Sequence, residues 1–233
     1  MATTTVPARA TRRGLPSILL KTIVAVTGLF FVLFLLMHMY GNLQILIGRE
    51  AFDDYAHHLR VLGEGMLPEK AGLWAFRILL IVSVLLHVWA TMSLWGRAGK
   101  ARTHRYVGKK RATYGGVYAK AMRWGGLAIL LFVIFHLLHF TTQTITPTGE
   151  HASPAARVVT NFELWWVVLI YTLAMIAVGM HLLHGIWGAG MTLGLNTSLK
   201  RAEQIRFVAI LLATIIVVGF LIPPFAILFG FVD

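Results

Sequence analysis

Cysteine is absent from all 233 residues of the chain. That excludes disulfides, thiolate metal sites and any iron–sulfur cluster held by this chain alone. Charge is scarce as well: Asp, Glu, Lys and Arg together make up 13% of the sequence, against about 25% in an average soluble domain. Acidic residues are the rarest of these, nine against 21 Lys and Arg, for a formal net charge of +12. No glycine fingerprint for a dinucleotide phosphate is present. What the chain has in quantity is apolar surface, with 58% hydrophobic residues and a mean hydropathy of +0.74. A soluble globule of this size cannot hide that much. Disorder, coiled coil and collagen are excluded with it.

A membrane-spanning helix needs about 20 mostly apolar residues. Five stretches qualify, at about 17–47, 73–95, 124–145, 162–190 and 207–231. They leave no room for a separate soluble domain, so 1–233 reads as one all-α transmembrane domain. The basic segment before the first span superficially resembles a signal peptide. The apolar run is too long for that and no small-residue cleavage site closes it, so it reads as an uncleaved first span.

Lys and Arg set the orientation. The N-terminal flank carries Arg9, Arg12, Arg13 and Lys21. The second loop carries Arg97, Lys100, Arg102, Arg105, Lys109, Lys110, Arg111, Lys120 and Arg123, and the fourth Lys200, Arg201 and Arg206. The alternate loops carry only Arg49, Arg60 and Lys70, then Arg157. The N-terminus and the 96–123 loop are therefore expected in the cytoplasm and the C-terminus outside. The basic loop is a topology determinant facing anionic lipid, or a dock for a soluble partner, rather than a nucleic-acid site.

The ten histidines sort by depth. His57, His58, His104 and His151 fall in loops and are expected at the solvated surface. Six are inside spans: His38, His87, His136, His139, His181 and His184. Polar side chains in hydrocarbon are costly and usually face the bundle interior for a purpose. His38 and His136 lie on outward-running spans, each about nine residues, or ~13 Å, before the outer end. His87 and His181 lie on inward-running spans at a similar distance from the inner end. The four thus form an outer layer (His38, His136) and an inner layer (His87, His181).

Two imidazoles at one depth on different helices can grip one planar macrocycle from opposite faces. A bis-imidazole haem asks for little else than a flat slot and charged groups for its propionates. Gly28, Gly41, Gly125, Gly126 and Gly179 are candidates for the slot, each also explicable by close helix packing. Arg77 would stand at the outer edge, and Arg123 with Lys120 at the inner edge. The HLLH strings place His136 with His139 and His181 with His184 on common helical faces. A dinuclear metal centre would need such pairs at one depth, with carboxylates. These pairs fall at different depths, and no Asp or Glu lies mid-span. His139 and His184 are expected to hydrogen-bond locally or touch a haem edge.

At this point the residues resemble a family. HMYGNLQ (38–44), FDDYAHHLR (52–60), LWAFR (73–77), His87, FHLLHF (135–140) and HLLHGIWGA (181–189) occur in order along nearly the whole chain. Together they resemble the membrane anchor, or cytochrome b subunit, of succinate dehydrogenase/fumarate reductase, in the form with one five-helix polypeptide and two haem b groups. The resemblance implies His181 rather than His184 as ligand, and His136 rather than His139. It implies the pairs His38 with His136 and His87 with His181, which depth had already given. It also implies a respiratory complex in a bacterial cytoplasmic membrane, linked to the tricarboxylic acid cycle. A flavoprotein subunit would oxidise succinate, an iron–sulfur subunit would carry electrons to the bilayer, and this chain would exchange them with a membrane quinone, menaquinone among the candidates.

With no catalytic residue for succinate of its own, the chain is expected to anchor both partners, and the complex could assemble into a higher oligomer. Electrons would pass between the inner and outer layers. Ser17 and Lys21, at the inner start of span 1, could serve a quinone there, or simply cap and anchor the helix. Glu64 and Glu69, near Arg60 and Arg77, could relay protons at an outer site. Two other classes fit less of the pattern: a di-haem anchor of another dehydrogenase, and a non-redox membrane protein whose histidines carry protons.

Overall fold

The computed structural model describes residues 14–100 and 115–232, with side chains in the second stretch described from Met122 onward. Arg9, Arg12, Arg13, Arg102, His104, Arg105, Lys109, Lys110, Arg111 and the Lys120 side chain lie outside the described residues. The described part is all-α. Five helices are long and apolar enough to cross a membrane: α1 (Ser17–Leu43), α3 (Ala71–Lys100), α4 (Gly115–His136), α6 (Trp165–Thr192) and α7 (Leu199–Leu228). The chain is a multi-pass membrane protein. No described large apolar side chain on α3 or α4 is buried, and about half are exposed, as surface facing acyl chains requires.

Two further helices, α2 (Arg49–Arg60) and α5 (Pro154–Phe162), occupy stretches the sequence left as loop or span end. Both lie at the same end of the bundle and pack on each other. Asp53 joins them: its Oδ2 accepts from Ser153 Oγ at 2.6 Å and its Oδ1 from the Ala155 backbone N–H at 2.8 Å. The carboxylate therefore sits on the N-terminal amides of α5, where the helix dipole favours negative charge. Ser153 itself caps α5, accepting from Ala156 N, and Pro154 takes a first-turn position where no N–H is needed. Asp53→Ala leaves both donors short of their acceptor and is expected to lower stability by about 1–3 kcal/mol. Thermal unfolding of the detergent-solubilised chain would show it.

Span boundaries move in four of the five spans. The third span starts earlier than the hydropathy edge and ends at Thr141, in a π-helical turn over Leu137–Thr141, rather than running on to 145. Phe162 belongs to α5, because the chain breaks at Glu163 and Leu164 before α6 begins. Flanking polar turns lengthen α3 at its C-terminal end and α7 at its N-terminal end. Ser198 caps α7 by accepting from Arg201 N, and Gly194, at φ +76°, turns the chain out of α6 in a conformation that disfavours a Cβ.

The helices alternate in direction. The starts of α1, α4 and α7 and the ends of α3 and α6 share one end, rich in Lys and Arg; α2 and α5 cover the other. The central packing is α6 against α7 and α1, around Val32, Met175, Val178, Leu182, Ala209, Ala213 and Ile216. Small residues permit the close approach. A Cβ on Gly179 would meet Val217 Cγ2 at 2.8 Å, and one on Gly190 would meet Ile205 Cγ2 at 2.8 Å. Gly41 is likewise covered by the Tyr55 ring. Gly41 and Gly179 thus serve close helix packing, the alternative that the sequence left open for each of these glycines.

Candidate functional site

Helix α3 packs on α1 and α2, and α4 packs on α6; among the described residues α3 and α4 form no substantial interface with each other. They approach at the basic end, where Trp95 and Trp124 meet edge-on at 6.4 Å and the Arg123 guanidinium lies 5.3 Å above the Trp95 ring. Along the rest of their length they flank α1 and α6, the two helices that carry the other histidines of each layer.

The depth ordering brings four imidazoles together in two pairs. The His38 and His136 rings lie 5.9 Å apart between centroids, inclined at 77°. Those of His87 and His181 lie 6.4 Å apart, inclined at 56°. Each pair joins two different helices: α1 with α4 toward the α2/α5 end, α3 with α6 toward the basic end. Imidazoles that share one metal at about 2 Å from each ring nitrogen have centroids roughly 6.4 Å apart. Both separations match that geometry.

Ring orientation follows from proton accounting. Thr27 has one hydroxyl proton, and it goes to the Ile23 carbonyl at 2.6 Å. Its oxygen lies 2.9 Å from His87 Nδ1, and with that proton on Ile23 the oxygen is placed to accept from an Nδ1–H. That tautomer leaves Nε2 bare and able to bind a metal. On the other pair, His136 Nδ1 lies 3.3 Å from the Tyr171 hydroxyl. His181 Nδ1 is buried with no hydrogen-bond partner. A polar atom in that position costs about 1–3 kcal/mol; among the described residues His151 Nε2 is the other such atom.

The glycines complete the picture at the inner pair. A Cβ on Gly28 would stand 3.5 Å from His87 Cε1, and one on Gly126 would stand 3.4 Å from His181 Cε1. Gly125 would add a Cβ into open space. Aromatic rings line the outer pair: Phe34 stacks on His38 at 5.3 Å, and Phe220 of α7 closes on it at 5.6 Å.

The remaining sequence candidates distribute as follows. His139 is 2% exposed and has both ring nitrogens engaged, Nδ1 with Tyr171 Oη at 3.0 Å and Nε2 with Asn161 Oδ1 at 2.9 Å. The His184 ring lies 6.0 Å from that of Trp187. The Arg77 guanidinium lies 5.1 Å above the Trp74 ring. Ser17 Oγ accepts from Arg97 Nη1 at 3.1 Å, tying the start of α1 to the end of α3. Lys21 is exposed at the same end. Glu64 and Glu69 are exposed in the loop before α3, with Glu69 paired to Lys70 at 3.2 Å.

His57 and His58 are exposed as expected, but His151 is half-buried, its N–H bonded to Gln143 Oε1 and its carbonyl to Arg157 Nε. The sequence reading missed Thr27, Tyr171, Asn161 and Asp53. The first two are polar groups in mid-span, which is itself a signal.

Comparison of the chain with known protein families, with curated sequences and with solved structures finds no match.

Proposed function

We propose that this chain is a di-haem b membrane anchor of a succinate:quinone oxidoreductase. The observation that carries the haem assignment is the pair of facing imidazoles at each of two depths, 5.9 and 6.4 Å between centroids, on four different helices. The donor chemistry fits the group. Each pair sets two imidazole rings at a separation that one shared iron would span, His181 Nδ1 is a buried atom with no hydrogen-bond partner, and Gly28 and Gly126 flank the inner pair. Haem at each pair would supply reversible one-electron chemistry at two depths, as exchange between a partner at one end and a quinone in the bilayer requires.

His38 and His136 would hold one group, His87 and His181 the other. Thr27 and Tyr171 orient His87 and His136 through their Nδ1 atoms, as partners behind a ligand do. Arg77 toward one end and Arg123 toward the other would balance the propionates, each held near an indole ring. Positive-inside counting puts the basic end in the cytoplasm. Ser17, Lys21 and Arg97 then face the side on which flavoprotein and iron–sulfur subunits would dock.

The partner assignment rests on the ordered strings from HMYGNLQ to HLLHGIWGA. The haem assignment stands on geometry alone. One preparation tests both. A reduced-minus-oxidised absorption spectrum with haem quantitation should show two b-type haems per chain, and a colourless protein from iron-replete cells would refute the haem. Co-purification of a flavin-bearing subunit with succinate dehydrogenase activity is expected, and a different dehydrogenase in its place would refute the partner.

A further inference from the structure

His136 is tied to a buried hydrogen-bond chain that the ligand reading does not itself require. Asn161 Nδ2 donates to the Arg157 carbonyl at 2.8 Å. That fixes the amide, so Oδ1 faces His139 Nε2 at 2.9 Å and must accept from it. His139 has no carboxylate in contact and lies buried in a spanning segment, so it is the neutral imidazole. With its proton on Nε2, its Nδ1 is bare and accepts the Tyr171 hydroxyl at 3.0 Å. The Tyr171 oxygen, its proton spent, accepts from His136 Nδ1 at 3.3 Å. Every donor in the series points one way, from His136 toward the Arg157 carbonyl. The π-helical turn over Leu137–Thr141 accompanies this arrangement, carrying His139 to the same hydroxyl as His136.

We propose that Tyr171, His139 and Asn161 are positioning residues that lock His136 in the Nδ1–H form, leaving Nε2 free to face His38, and that raise its basicity as an iron ligand. This deepens the proposed function and rests on it. An imidazole that donates from its far nitrogen is a stronger electron donor at its near one. A stronger donor favours the oxidised iron, so the chain lowers the potential of the outer haem. The chain also settles which histidine of the HLLH string can bind: His139 has neither nitrogen to spare.

Tyr171→Phe keeps the ring that Phe132, Phe140 and Phe162 pack against and removes only the hydroxyl. In the full chain purified with its haems, potentiometry should show one midpoint raised and the other unmoved. The one that moves should belong to the haem lost in His136→Ala. Affinity for that haem should fall by roughly tenfold or more. Asn161→Leu breaks the far end of the chain and should move the same midpoint in the same direction by less; it stands as the readout if Tyr171→Phe does not fold. Phe162→Leu, which alters packing around Tyr171 without touching a hydrogen bond, should move neither. A chain that binds two haems but shows no shift in Tyr171→Phe or Asn161→Leu, or an equal shift in Phe162→Leu, overturns this inference and leaves the proposed function standing. A chain without haem overturns the function itself.

Discussion

His136→Ala is expected to abolish the same haem that His38→Ala abolishes, and to leave the other in place. The reciprocal result is expected for His87→Ala and His181→Ala. The reason is the pairing of rings from different helices, 5.9 Å apart in one layer and 6.4 Å in the other. Loss of either ring of a pair would leave a bound haem with one histidine to hold it. Removing only a partner behind a ligand costs roughly 10–100-fold in metal affinity, and removing the ligand should cost more. Bound haem should therefore drop from two to one per chain in each variant, read by pyridine haemochrome. The spectrum should lose one of two components, the same one for both members of a pair. His139→Ala and His184→Ala should leave both irons with two histidine ligands. Loss of one component in His38→Ala and the other in His136→Ala would contradict the pairing directly.

The pairing was legible in the sequence because depth along a span is linear in residue number once the direction of each span is known. His38, His87, His136 and His181 needed nothing more than span ends and alternation. The choice within HLLH was of another kind. Both ring nitrogens of His139 are engaged, by Tyr171 and Asn161, which lie 32 and 22 residues further along the chain. No local pattern shows that a hydroxyl and an amide will converge on one ring. The glycines could not be sorted from sequence for a similar reason. Gly179 and Gly126 look alike in sequence, yet one meets Val217 of α7 and the other meets His181.

Helix α5 was hidden because no Gly or Pro marks the break at Glu163 and Leu164, so its apolar end ran into the fourth span. Helix α2 carries its charges on a short amphipathic turn at the bundle end. It entered the sequence reading as a charge count rather than as structure, and the α5 cap made by Asp53 went unseen with it.

Gly126→Leu is expected to expel the inner haem alone. The glycine sits on α4 across from His181 on α6, and its missing Cβ would already stand 3.4 Å from Cε1 and 3.8 Å from Nδ1 of that ring. Alanine there makes a contact the imidazole can accommodate by a small shift. The further carbons of leucine have no such room, and interiors do not absorb that volume without moving a side chain, typically at about 1–3 kcal/mol. The side chain in the way is His181, so the cost falls on its alignment with His87 rather than on the α6–α7 packing. The outer pair, in the other layer, is untouched. The variant should therefore show the spectrum of His181→Ala while unfolding at nearly the temperature of the unmodified chain freed of the same haem. Gly96→Leu serves as the control, because Gly96 is exposed on α3 with nothing within 4 Å of its Cβ position, and it should retain both haems. Retention of the inner haem in Gly126→Leu would mean that His181 does not use the space beside α4 to face His87.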